Sequence, residues 1–263
     1  AADRVSNANI TEAIIAAKNA PATVDPRAPI QFEPAGMIDD PQDPAMKGNW
    51  DGTDPGHVTS AVGAAMDNGQ LVSNFAKIGP WYYGTIDRKY QLFKYSELCF
   101  LKAIAIERGL IAGNAKDAYE AGVRSNMAEF DIPEAVITDY LASTAPNYYG
   151  TTAKYDDTTG DCNTHMDKIL TQKYIAQFQE CSFETWADHR QFHKPTLMPF
   201  ASVSSSVFTM NPADQANNTP NAYVKRIYYP SSEYTVNAAN VKEAESRMGG
   251  TNSIQNNVWW DVD

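Results

Sequence analysis

Trp81, Tyr82 and Tyr83 stand side by side between Gly79-Pro80 and Gly84. Consecutive bulky rings between backbone-breaking residues cannot all face one core. Sugar rings present flat patches of C–H groups that stack on aromatic faces and leave a phenol or indole tip for their hydroxyls. The trio is therefore a candidate ligand platform. Trp50, in Gly48-Asn49-Trp50-Asp51-Gly52, is a second candidate, because a loop-borne Trp between glycines is placed for exposure. The competing reading is that these rings pin a long loop to its scaffold, since Trp and Tyr are highly buried on average.

Other chemistry-bearing types give less. His189 and His193 are four apart, as on a zinc-binding helix, but the zincin pattern needs Glu directly after the first His, and Arg190 stands there. The pair reads as structural. Asp39, Asp40, Asp43, Asp51 and Asp54, and separately Asp156, Asp157 and Asp161, could offer calcium its oxygen ligands. Neither run has the spacing of the helix-loop-helix calcium site, so solvated acidic loops are the reading and no cofactor is expected. Cys99, Cys162 and Cys181 are an odd count without a Cys-x-x-Cys pair and suggest neither a zinc site nor a disulfide framework. A helix between Cys162 and Cys181 would hold them roughly 25 Å apart, too far to bridge. No nucleophile elbow, phosphate loop or dinucleotide fingerprint occurs. Carboxylates abound, but any acidic chain can offer a glycosidase-like pair. The residues point to a binding module, not an enzyme.

The formal net charge of −11 argues against nucleic acid and anionic lipid, whose phosphates need clustered Lys and Arg. Acidity suits neutral or basic ligands better. With 263 residues and 43% hydrophobic content the chain can bury a substantial core. Its most apolar window, Leu98 to Ile106, is interrupted by Lys102 and is far short of the roughly 20 residues a bilayer requires. Ala1-Ala2-Asp3 shows no signal peptide, so the chain reads as mature or partial.

The elements that must position these residues are mainly helical. Thr164 and Asp167 form a capping-box pattern before Met166, Ile169, Leu170, Tyr174 and Phe178 on one face, which predicts a buried helix of about four turns. A second helix from Ser182 carries Phe183, Trp186 and Arg190, with Trp186 expected in the core, and Pro195 and Pro199 forbid its continuation. Tyr95 to Arg108 is apolar on nearly all sides and is expected to be buried between other helices. Asn114 with Asp117 starts the next helix, whose inward stripe is Tyr119, Val123, Met127 and Phe130, with Ala118 and Ala121 allowing close approach. These two helices make one tetratricopeptide-like hairpin, with no second copy at a period near 34. Further helices are expected over residues 4 to 18, after Pro133 through Val136, Ile137, Tyr140 and Leu141, and from a cap at Asn240 with Glu243 to Gly249-Gly250. Tyr223 to Tyr229 reads as a short strand, Trp259 and Trp260 as anchors of the chain end. Residues 19 to 90 are rich in Pro and Gly without sustained period; this irregular, loop-built segment is the candidate ligand-binding region. No linker-like break appears, so 1–263 is read as one domain.

The run ILTQKYIAQF…FETWADHR…KPTLMP resembles the SusD/RagB family, surface lipoproteins that capture nutrients for a TonB-dependent outer-membrane transporter. Asp25-Pro26-Arg27, YSELCFLKAIAIERG (Tyr95 to Gly109), KRIYYPSSEYTVNAANV (Lys225 to Val241) and the closing Trp259-Trp260-Asp261 are similar to further family elements. Two departures bear on the subfamily: His189 to Pro195 where the family reads yRRTGyP, and Glu180-Cys181 where it has an Asn-Gly turn. The resemblance implies a non-catalytic glycan-binding protein at the cell surface of the outer membrane, delivering oligosaccharide to a SusC-like transporter. A peptide ligand, which some branches take, is the alternative within the family, and a glycoside hydrolase the alternative outside it. It also implies an N-terminal lipobox, whose lipid anchor would be the membrane attachment, and a helical-repeat half upstream of this chain.

Overall fold

Two helices joined by a short turn, α4 (Tyr95–Glu107) and α5 (Ala115–Ala128), form a hairpin against which the next two helices of the chain pack. The computed structural model describes residues 8–17, 23–35, 48–50, 52, 66–67, 70–71, 76–84, 87, 91–195, 224–250, 252–254 and 256–261. The chain divides into two compact units, residues 1–53 with 59–197 and residues 54–58 with 198–263.

The first unit begins with α1 (Ala8–Thr11), one turn where the expected helix ran from 4 to 18. After it Ile15 bridges Thr23 in antiparallel fashion, and Val24 N–H donates to Ile14 O at 2.8 Å. Burial of Ile14 and Ile15 in this extended pairing wins over continuation of the helix. Next come α2 (Ala28–Gln31), β1 (Phe32–Glu33), β2 (Met66–Asp67), β3 (Gln70–Leu71), β4 (Lys77–Ile78) and α3 (Pro80–Tyr83). β1 pairs antiparallel with β4, Phe32 opposite Ile78 and Glu33 opposite Lys77, and β2 pairs with β3. The irregular segment thus holds small regular pieces.

In α4 only one flank is buried, by Ser96, Glu97, Cys99, Phe100, Ala103 and Ile104. Tyr95, Leu98 and Leu101 are exposed, so the expectation of burial on all sides is corrected: α5 and α7 cover one side of the helix. Gly109, at φ +68°, stops it in the left-handed conformation that glycine adopts without strain. Asn114 caps α5, its Oδ1 accepting from the backbone of Lys116 at 3.0 Å and Asp117 at 3.4 Å. Tyr119, Val123, Met127 and Phe130 are buried as their spacing predicts. The close approach comes at Gly122, not Ala121: a Cβ there would lie 2.6 Å from the Phe100 ring.

α6 (Glu134–Ala142) buries Ile137 and Leu141 but leaves Val136 exposed. α7 (His165–Ala176) carries the expected capping box, Thr164 Oγ1 accepting from Asp167 N–H and Asp167 Oδ2 from Thr164 N–H. It is buried from Asp167 to Lys173 and again at Ile175 and Ala176. This helix separates Cys162 from Cys181, and all three thiols are free. α8 (Ser182–Phe192) ends where His193 turns left-handed, φ 52°. The core has two parts: a cluster shared by α4 to α7, and a second around Ile10, Ile14, Ile15, Ala28, Phe32 and Ile175.

Two polar networks tie the first unit together. Arg27, fully buried, donates to Asp25 Oδ1 through Nε at 2.9 Å and to Oδ2 through Nη2 at 2.6 Å. It also reaches Asn126 Oδ1 at 2.7 Å and Gln172 Oε1 at 2.5 Å. Tyr140 donates to Asp25 Oδ2 at 2.8 Å and accepts from Gln172 Nε2 at 2.8 Å. Burial opposes the Arg27 charge, but the Asp25 carboxylate and its hydrogen bonds more than restore it, so the guanidinium is held charged above its ordinary value. A charge this deep persists because it is paired and hydrogen-bonded throughout. Lys94, itself buried, is held between Glu129 at 3.0 Å and Glu180 at 2.5 Å and fixes the start of α4.

The second unit contains α9 (Ser231–Val236) and α10 (Ala238–Arg247). The strand expected at Tyr223 to Tyr229 is absent over residues 224–229; Tyr223 lies outside the described residues. Lys225 and Arg226 N–H both donate to Ile254 O, and Pro230 ends the stretch without a ladder. The break before α10 falls at Asn237, not Asn240, which is inside the helix. Arg226 is buried, donates to Asn252 Oδ1 at 2.8 Å and lies 4.7 Å over the Tyr229 ring. Trp259 is 90% exposed and Trp260 36%. Neither is sunk into a core, contrary to the anchoring role expected of them.

Candidate ligand-binding surface

Gly79 sets the aromatic turn in place. A Cβ at this position would stand 2.5 Å from Ile30 O, 2.8 Å from Gln31 C and 2.9 Å from Phe32 N. Only glycine lets the chain pass so near α2 and β1, and its N–H donates to Gln31 O at 2.7 Å. Pro80 then opens α3 at its first position, where a missing N–H costs nothing. On a single helical turn three consecutive rings point in three directions.

The structure follows that geometry. Trp81, partly buried, meets Phe130 edge-on at 5.2 Å and packs against the cluster of α4 to α7. Tyr82, also partly buried, meets Phe178 edge-on at 5.2 Å, and its hydroxyl accepts from Gln31 Nε2 at 3.2 Å. Tyr83 is 39% exposed, and its hydroxyl donates to Glu33 Oε1 at 3.0 Å. Trp50 is partly buried against the second cluster, the one that Phe178, the ring partner of Tyr82, also packs on. Its loop is pinned by Ala35 N–H to Asn49 O at 2.8 Å, Gly48 N–H to Ala35 O at 2.9 Å and Gly52 N–H to Thr11 Oγ1 at 2.8 Å. Of the four candidate rings, three have a packing role and Tyr83 presents the most surface among Trp81, Tyr82 and Tyr83.

Sequence reasoning missed Glu33. It is 50 residues from Tyr83, and the pairing of β1 with β4 and the passage of Gly79 against α2 bring the two together. A two-residue strand inside a Pro- and Gly-rich segment gives no periodicity to read.

The remaining candidates resolve as follows. His189 is buried, and His193 sits beyond the end of α8, its ring 6.4 Å from that of His189 and nearly perpendicular. Arg190 lies 3.7 Å over the Trp186 ring, and Trp186 is half-buried beneath it, not in the core. Among the described residues no three His, Cys, Asp or Glu side chains converge as a metal site. Asp156 bonds Lys116 at 2.5 Å, and Asp157 is held by Thr159 and Thr152; these bonds draw both carboxylates below their usual range. Asp39, Asp40, Asp43, Asp51 and Asp54 lie outside the described residues. Burial pushes Glu97 and Asp188 up, opposed by Lys173, which pairs with both.

The architecture is that of a mainly helical protein, a helical hairpin scaffold that carries an aromatic turn. A family model described as SusD-like, SusD and RagB outer membrane lipoprotein, matches residues 25–261, and the chain belongs to this family. The SusD homolog from Parabacteroides distasonis is 29% identical, with a TM-score of 0.71 over 98% of this chain and 52% of its own. A SusD homolog from Bacteroides thetaiotaomicron is 24% identical, with a TM-score of 0.63 over 91% of this chain and 49% of its own. A chitin-binding SusD homolog from Flavobacterium johnsoniae is 22% identical, with a TM-score of 0.61 over 91% of this chain and 47% of its own. The chain thus spans about half the length of the structures it matches. None of the curated proteins compared matches it significantly.

Proposed function

We propose that the chain is part of a non-catalytic nutrient-binding protein of the outer membrane that captures oligosaccharide and passes it to a TonB-dependent transporter. The observation that carries this reading is the turn Pro80–Tyr83, fixed by Gly79 on a helical scaffold and presenting the Tyr83 ring at the surface. Rigid support matters, because a preordered aromatic platform loses little entropy on binding. Membership of the family supports a surface role, and one structure of the same fold is described as chitin-binding. Among the described residues, Glu97 and Asp188, whose carboxyls burial pushes up, are both engaged by Lys173, which weighs against their serving as the acid and nucleophile of a hydrolase.

A glycan array followed by calorimetry tests the reading. Binding of a neutral oligosaccharide, recovered at its original length after long incubation, is the expected result. Shortened products would make the protein a hydrolase, and binding of peptides with none of glycans would move the ligand to the other branch of the family.

A further inference from the structure

We propose that Glu33 and Tyr83 act as one sugar contact, the Tyr83 ring stacking on a C–H face of a neutral pyranose while the Glu33 carboxylate accepts its hydroxyls. This deepens the glycan reading and rests on it. The Tyr83 phenol donates to Glu33 Oε1 at 3.0 Å, which holds ring and carboxylate side by side. Glu33 Oε2 has no hydrogen bond among the described residues. An ionised carboxylate accepts at about four lone-pair sites, so Glu33 has capacity left over. Hydrogen bonds to an ionised acceptor are roughly twice as strong as neutral ones. An acceptor at the edge of a stacking ring fits a ligand with one flat aliphatic face and hydroxyl donors around it, which describes a pyranose. Lys77 stands directly opposite Glu33 in the β1–β4 pair, and residues so placed share a face of the sheet. A cation on that face offsets the carboxylate, so recognition works through hydroxyl donors and not through net charge.

Calorimetry with the N-acetylglucosamine hexamer and with maltohexaose tests this on the wild type, Glu33→Ala, Tyr83→Ala, Tyr83→Phe and the double variant Glu33→Ala/Tyr83→Phe. For whichever sugar the wild type binds, Glu33→Ala and Tyr83→Ala each weaken affinity by about tenfold or more, and Tyr83→Phe by about threefold. The double variant is no weaker than Glu33→Ala alone, because the phenol acts by holding the carboxylate. Neither side chain is buried, so melting temperatures stay at the wild-type value, which separates lost contact from lost fold. Wild-type affinity in both Glu33→Ala and Tyr83→Ala overturns the proposal while leaving glycan binding standing. Failure of the wild type to bind any neutral oligosaccharide removes the glycan reading and this contact with it.

Discussion

Lys168 is fully buried, and among the described residues it has no carboxylate partner. Its ammonium donates to Thr152 O at 3.0 Å, Thr152 Oγ1 at 2.6 Å and Asn163 Oδ1 at 2.5 Å, and so holds the loop between α6 and α7 onto α7. Burial pushes its pKa down to about 8, only partly opposed by the charges of Asp157 and Asp167. The folded value lies below the ordinary 10.5, so between them the unfolded chain holds more protons and stability rises with pH. Above about pH 10 the buried tyrosines reverse the trend. Burial raises the values of Tyr119, Tyr140 and Tyr174, so their unfolded forms ionise first. Chemical denaturation should therefore show stability increasing by on the order of 1 kcal/mol from pH 7 to 9.5. Lys168→Met should flatten that increase, and an equal increase in the variant would place its origin elsewhere.

At the scale of elements the sharpest constraint is the α4–α5 crossing at Gly122. Alanine is the better helix former by about 1 kcal/mol, but its Cβ would meet a Phe100 ring that is itself fully buried. Overpacking of this kind costs about 1 to 3 kcal/mol, so Gly122→Ala should lower the melting temperature. Adding Phe100→Leu should recover part of the loss; no recovery would mean the strain lies in the backbone. The helices themselves were legible: the Thr164–Asp167 box, the Asn114 cap and the Tyr119 to Phe130 stripe are local signals, and the structure has them all. The flank of α4 was not, because an all-apolar helix says nothing about which side its neighbours occupy. Trp186 was misplaced for a related reason. Its spacing put it on an inward face, yet Arg190 covers the ring, a pairing that helical position alone does not distinguish from burial. The aromatic turn was legible as a candidate platform, but what holds each ring was not, since the partners Phe130, Phe178, Gln31 and Glu33 are all distant in sequence.

At the scale of the whole first unit, Arg27 draws several segments together. It joins the segment before α2 to α5 and α7, and through Asp25 to α6. Removing one member of such a group leaves the other charge buried and unpaired, which costs about 3 to 5 kcal/mol. Arg27→Met should lower stability by that amount in urea titration; a loss under about 1 kcal/mol would mean that water reaches Asp25. The bonds Arg27 makes to Asn126 and Gln172 span 99 and 145 residues. Contacts so far apart cannot form until the intervening helices have been made and their loops closed. With these contacts formed after the folding barrier, the variant should refold at nearly the wild-type rate while unfolding about a hundredfold faster or more, and slowed refolding would place them in the nucleus instead. The Asp25-Pro26-Arg27 turn thus acts as a latch, deciding how long the first unit stays folded more than how fast it gets there.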